Sequence, residues 1–179
     1  MNKFFVIDSV LSRDDYIKIE FSLDEFNWLA CLKSEFQYLD HSIISVEVDE
    51  DSGEIFQDFV YMSGVLLISD RLKNLFDSLG VDYLFYKKVL LTKKNIGREE
   101  DYWLTVPERI DCLDKENSEI NARRKAKSIK IEEDKTGRYE IFKLAGVVNP
   151  EIIISERIAT ALRDSNFTGF YIYSVDDEE

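Results

Sequence analysis

The densest run of potential ligands in this chain is Asp49-Glu50-Asp51-Ser52-Gly53-Glu54, with Asp58 four residues further on. Carboxylates at alternating positions can supply oxygen ligands to calcium. The EF-hand pattern is not met, because glycine falls one position early and the bidentate glutamate six residues later is absent. A solvated turn, or an acidic surface that meets a basic partner, is the better reading. His41 is the only histidine, so zinc and iron centres built on two histidines are excluded. Cys31 and Cys112 lack the Cys-x-x-Cys spacing of a zinc ribbon or a redox site and are expected to be reduced and buried. Gly-x-x-x-x-Gly-Lys-Ser/Thr, Gly-x-Gly-x-x-Gly and Gly-x-Ser-x-Gly are all missing, which removes the familiar phosphate cradles and the nucleophile elbow. Asp134, Glu140 and Lys143 are spaced wrongly for a metal nuclease. Asp111 and Asp114 remain as a carboxylate pair for a small enzyme. The expectation is no catalytic site, no metal and no cofactor.

These residues must be positioned by strands and a few helices. Phe4 to Ile7 and Tyr16 to Phe21 read as strands, the second alternating Ile17, Ile19 and Phe21 against Lys18 and Glu20. Ser22-Leu-Asp-Glu25 matches a capping box, predicting a helix to about Tyr38 that buries Phe26, Leu29, Leu32, Phe36 and Leu39. Ile43 to Val48 alternates again, and a return strand around Ile55 to Val60 would make the acidic run a hairpin turn. Lys93 to Asp101, polar and containing Gly97, reads as a linker. Tyr102 to Val106 is a strand that Pro107 ends, or places at an edge. Lys115 to Lys127, with Arg123, Arg124, Lys125 and Lys127 clustered, reads as a surface helix or a loop. Ile129 and Ile131 begin another strand, Asp134 to Gly137 turns it, and Tyr139 to Leu144 returns.

A pattern occurs twice. Leu66 to Tyr86 (LLISDRLKNLFDSLGVDYLFY) and Ile152 to Tyr173 (IIISERIATALRDSNFTGFYIY) each read strand, serine cap, helix, glycine-marked turn, strand. Ser69 and Ser155 can accept a bond from an orphan N–H of the first helical turn, and Asp70 and Glu156 place negative charge at its positive end. Leu72, Leu75, Phe76 and Leu79 fall at helical spacing, as do Ile158, Ala161 and Leu162. The serines are 86 residues apart, too far for a solenoid. The expected fold class is α+β: a strand-rich mixed or antiparallel sheet with a few packed helices. One domain over 1–179 is expected; the pattern allows two halves, 1–91 and 102–175, with a linker at about 93–101, and either duplication or convergence on a favourable cap would explain the likeness.

Composition limits the partners. With 45% hydrophobic and 13% aromatic residues the chain can build a core. Its 36 acidic residues against 23 basic give a net charge of −13, the wrong sign for general nucleic-acid binding. Residues 1–90 hold 17 acids and 8 bases, so the surplus gathers in the half with the acidic run. No stretch approaches the ~20 apolar residues of a membrane span, and MNKFFVID is too short an apolar start for a signal peptide. A cytoplasmic protein is expected.

Four segments carry a likeness. Leu113-Asp114 with Ser118, then Ile141-Phe142-Lys143-Leu144, then Ser155-Glu156-Arg157, then Thr168-Gly169-Phe170, occur in the order that resembles family eleven of the bacterial polymorphic-toxin immunity proteins, formerly a domain of unknown function. The resemblance covers roughly residues 60–173. It implies a non-catalytic protein that binds and neutralises a cognate toxin encoded nearby. Charge suggests a basic toxin, met by Asp49, Glu50, Asp51, Glu54 and Asp58. The alternatives are a small carboxylate- or metal-dependent enzyme, and an adaptor or scaffold.

Overall fold

A computed structural model describes residues 3–20, 22, 24–121, 126–148 and 150–175, except the side chains of Ala126 and Lys127. In chain order the elements are β1 (Phe4–Ser9), α1 (Trp28–Lys33), β2 (Ile44–Glu47), β3 (Phe59–Met62), β4 (Val65–Ser69), α2 (Asp70–Ser78), β5 (Phe85–Lys93), β6 (Arg98–Val106), β7 (Arg109–Ile110), β8 (Glu119–Ile120), β9 (Ala126–Ser128), β10 (Ile141–Leu144), β11 (Ile152–Ser155), α3 (Glu156–Arg163) and β12 (Phe170–Ser174). The class is α+β, with two five-stranded mixed sheets among the described residues. The chain divides into two compact units. The larger comprises Ser9–Val106 and Phe167–Phe170; the smaller comprises Met1–Asp8, Pro107–Asn166 and Tyr171–Glu179.

In the larger unit the strand order is β2-β5-β6-β4-β3. Its spine is the β5–β6 hairpin, paired from Phe85↔Val106 to Lys93↔Arg98. Residues 93–101, expected as a linker, are the tip and last rungs of this hairpin. Residues 94–101 are polar because they project beyond the core, not because they join domains, whereas Lys93 is buried. Pro107 follows a central strand, so it ends β6 without marking an edge. The hairpin expected around the acidic run is also absent: β2 and β3 lie at opposite edges of the sheet. Ile44, Val46 and Val48 need an apolar floor, and β2 finds it by pairing in parallel with β5, Ile44↔Val89 to Glu47↔Thr92. Val60, Val65, Leu67, Val89, Leu91, Leu104 and Val106 build the same core.

The helix expected from Ser22 to Tyr38 shrinks to six residues. Asn27 before it and Ser34 after it both adopt left-handed backbone (φ 46° and 56°), and neither conformation can continue a helix. No side-chain bond caps its start, so the capping box is not used. Phe26, Ala30 and Cys31 are buried, whereas Leu29, expected inside, is 44% exposed. The alternation at 17–20 is borne out: Ile17 and Ile19 are buried, Lys18 and Glu20 exposed.

The smaller unit orders its strands β12-β1-β11-β10-β7. β11 pairs antiparallel with β1 and β10, while β10 pairs in parallel with β7. Phe4 meets Phe142 edge-on at 5.8 Å within a core that includes Leu113, Leu144 and Ile153. Instead of a surface helix or loop, the polar stretch after Lys115 contributes the two-stranded β8–β9 pair. Arg123, Arg124 and Lys125 lie outside the described residues.

The two copies of the repeated pattern fall one in each unit, and the likeness runs further than the sequence pattern. In the larger unit β3-β4-α2-β5-β6 gives the spatial order β5-β6-β4-β3; in the smaller, β10-β11-α3-β12 with β1 gives β12-β1-β11-β10. The first hairpin is antiparallel in both, and the strand before the helix pairs antiparallel with the last strand in both. The modules thus match by a circular permutation: the smaller unit takes its final strand from the start of the chain. Ser69 accepts from the N–H of Leu72 (3.2 Å) and Ser155 from that of Ile158 (3.4 Å), so both serine caps form.

Candidate functional site

The acidic run is folded from within by a lysine. Lys93 closes β5 on its inward face with zero exposure. An ammonium there needs acceptors, since an unpaired buried charge is costly. It finds them in backbone: Nζ donates to the carbonyls of Asp49 (2.9 Å), Glu50 (3.0 Å) and Ser52 (3.1 Å). Asn95, in the hairpin tip, adds a second bond to the Glu50 carbonyl at 2.8 Å. The Asp49 carboxylate accepts from the N–H of Asp51 (2.9 Å), tightening the turn. Gly53 passes so close to Asp15 that an added Cβ would stand 2.1 Å from its carbonyl. With the carbonyls drawn inward, Glu50, Asp51 and Glu54 are exposed and Asp49 partly so. Four of the five residues singled out from sequence therefore share one ordered, outward-facing turn.

Asp58 does not belong with them. Its side chain is 3% exposed, and five donor bonds saturate it. Oδ1 accepts from Ser69 Oγ (2.7 Å) and Arg71 Nε (2.5 Å); Oδ2 accepts from Arg71 Nη2 (2.6 Å) and from the N–H (2.9 Å) and hydroxyl (3.2 Å) of Thr168. Burial alone would raise this carboxyl; the Arg71 guanidinium, the Ser69 hydroxyl and the Thr168 N–H outweigh it and hold it below the usual range. Asp58 is therefore framework.

The matching carboxylate in the smaller unit is Glu140. Its Oε1 accepts from Ser155 Oγ (3.0 Å) and Arg157 Nε (2.8 Å), and its Oε2 from Arg157 Nη2. Arg157 chiefly holds it below the usual range. The sequence signal was present in the Ser-Asp-Arg and Ser-Glu-Arg junctions, but the acids they grip lie 11 and 15 residues upstream, and only strand pairing brings them together.

The remaining candidates separate. His41 is exposed and stacks on Phe85 at 5.2 Å. Its neighbour Asp40 is engaged by Lys87 Nζ (2.6 Å), which with Ser42 holds the carboxyl well below its usual value, so no His–Asp pair forms. Cys31 and Cys112 are buried thiols outside any disulfide, and burial pushes the Cys112 thiol up to about 11. Asp114 caps its own turn, accepting from Asn117 Nδ2 (2.6 Å) and two backbone N–H groups, while Asp111 faces Lys115. Among the described residues no group of three or more His, Cys, Asp or Glu is placed to hold a metal, and no helix is long and apolar enough to cross a membrane. Sequence reasoning missed Lys93 altogether. Its signal was a lysine in phase with Val89 and Leu91 on the buried face of a strand.

No curated protein matches the chain. The family comparison is positive, and it reaches across the acidic turn and the polar stretch after Lys115 as well as the four segments quoted above. Over residues 6–177, which include both carboxylate clamps, the sequence matches the immunity protein family (Imm11), and the chain belongs to it.

Proposed function

We propose that the protein binds a cognate toxin in the cell that makes it and neutralises it by stoichiometric inhibition. Membership of an immunity family supports the role in general terms. The observation that carries the binding mode is the Lys93-centred turn, which presents Asp49, Glu50, Asp51 and Glu54 on ordered backbone. Carboxylates held in this way lose little freedom on binding and attract a basic surface over a Debye length. A nuclease or other basic toxin, whose own site is built for anions, is the natural complement. The protein acts by occupying that site and carries out no chemistry of its own.

The test is kinetic. Reversing Asp49, Glu50 and Asp51 together to lysine should slow association with the neighbouring-gene toxin about tenfold or more at low salt and flatten the salt dependence of the rate. Stopped-flow mixing of the folded variant reads both. Wild-type kinetics in a variant with native circular dichroism would remove the turn from the interface.

A further inference from the structure

The β5–β6 hairpin outruns its neighbour. β6 has nine residues, but β4 pairs only with Tyr102–Thr105, because the chain turns into α2 immediately after Ser69. From Arg98 to Asp101 the side of β6 away from β5 pairs with no other strand among the described residues. In an antiparallel pair every second residue points its N–H and C=O outward, so this edge carries unpaired donors and acceptors over about 13 Å. A groove of about 570 Å³ runs along it, walled by Phe56, by Asp70 and Arg71 at the start of α2, and by Glu99, Asp101 and Tyr102.

We infer that this open edge is a docking groove for an extended, arginine- or lysine-bearing segment of a protein partner, which adds to the larger unit's sheet as a short strand. The backbone supplies affinity and the walls select charge. Of the five carboxylates that line the groove, Asp58, Glu100 and Asp101 are paired with Arg71, Arg98 and Lys88, which leaves Asp70 and Glu99 without a cation among the described residues. Both guanidiniums are committed, Arg71 to Asp58 and Arg98 to Glu100. Glu99 takes part in no ion pair or side-chain hydrogen bond among the described residues. A second copy of the chain would bring the same acids against these, so the charge that blocks self-pairing also selects a basic strand. This inference rests on the partner-binding reading above and names the partner segment by its chemistry.

The probe is a hexapeptide of alternating arginine and valine, titrated into the full-length, isotope-labelled protein. The amide signals of 98–101 should shift, together with the Trp103 indole, whose Nε1–H donates to Asp70 Oδ1 at the groove wall (2.9 Å). The Trp28 indole on α1 should stay still. Two control peptides, methylated at alternate amides in either register, keep the charge but each lacks one set of outward bonds. One of them should bind about tenfold more weakly. A glutamate–valine hexapeptide should not bind, and Glu99→Lys should weaken the arginine peptide several-fold. Undiminished binding of both methylated peptides would reduce the site to charge attraction and overturn the strand. Shifts that avoid 98–101, or equal binding of the glutamate peptide, would overturn the groove. The peptides represent no particular toxin, so failure here leaves the acidic turn to its own kinetic test, and failure there leaves the groove standing.

Discussion

The Asp58 and Glu140 clamps use the same parts at the same places in matching modules: an acid just before the first strand, a serine ending the second, and an arginine two residues further on. They differ in what closes over them. Asp58 is 3% exposed and receives the backbone and hydroxyl of Thr168 in addition to Ser69 and Arg71. Glu140 is 28% exposed and accepts from Ser155 and Arg157. A carboxylate that satisfies donors of another segment is a structural node; one that faces water on the same scaffold is closer to a surface ion pair. The comparison predicts that geometry shared by two sites does not give them equal energetic weight.

The sharpest way to break that comparison is to remove each acid. Asp58→Ala strands the Thr168 N–H and the Ser69 hydroxyl inside the larger unit and should cost about 2–3 kcal/mol. The exposed Arg71 can turn to solvent, which keeps the loss below that of a fully buried pair. Glu140→Ala gives up an ion pair that solvent already screens and should cost about 0.5–1 kcal/mol. Urea midpoints at constant slope measure both. Equal losses would mean that Thr168 adds nothing to the clamp.

A second pair of substitutions tests the turn that follows each helix. Gly169 has φ 97°, and an added Cβ would stand 2.4 Å from the Phe59 carbonyl oxygen. Gly80 has φ 75° with nothing within 4 Å. Gly169→Ala combines backbone strain with a clash against main chain and should cost about 2 kcal/mol or more, whereas Gly80→Ala meets the strain alone, at about 1 kcal/mol. Amide exchange in β3 should rise in the first variant and stay near native in the second. Similar losses would show that conformation decides both positions and the close packing at Gly169 decides nothing.

Much of this was legible in the sequence where the cause is local. Ser69 and Ser155 cap their helices because a serine before an apolar periodic run has few better options, and Leu72, Phe76, Ile158 and Leu162 are buried as their spacing requires. The errors arose where distant partners decide. The acidic run looked like a hairpin because polar residues with a glycine separate two apolar stretches. Yet β2 was claimed by β5, some forty residues on, and the turn was claimed by Lys93. The linker at 93–101 was misread for a related reason: a long hairpin that projects past its neighbours has the composition of a tether. Leu29 pointed outward because two left-handed residues cut the helix short, and periodicity carries no record of such a break. Within the site, Asp58 looked like one more acid of a cluster, since nothing nearby in sequence shows that Arg71 and Thr168 converge on it.

Acid offers the finest test of the two clamps. Both folded carboxyls lie below their ordinary values of 3.8 for Asp58 and 4.5 for Glu140, so the unfolded chain takes up protons more readily than the folded one. Each clamp therefore adds its stability above the ordinary value and gives it up as pH falls through the lowered one. The window opens slightly higher for Glu140 than for Asp58. As pH falls from 5 toward 3 the wild-type protein should lose stability from these two groups. Glu140→Gln should remove the upper part of that loss, and Asp58→Asn should start less stable but flatten the lower part. Urea midpoints taken across that range resolve the two contributions. A profile unchanged by either amide would assign the acid sensitivity to carboxylates outside the clamps.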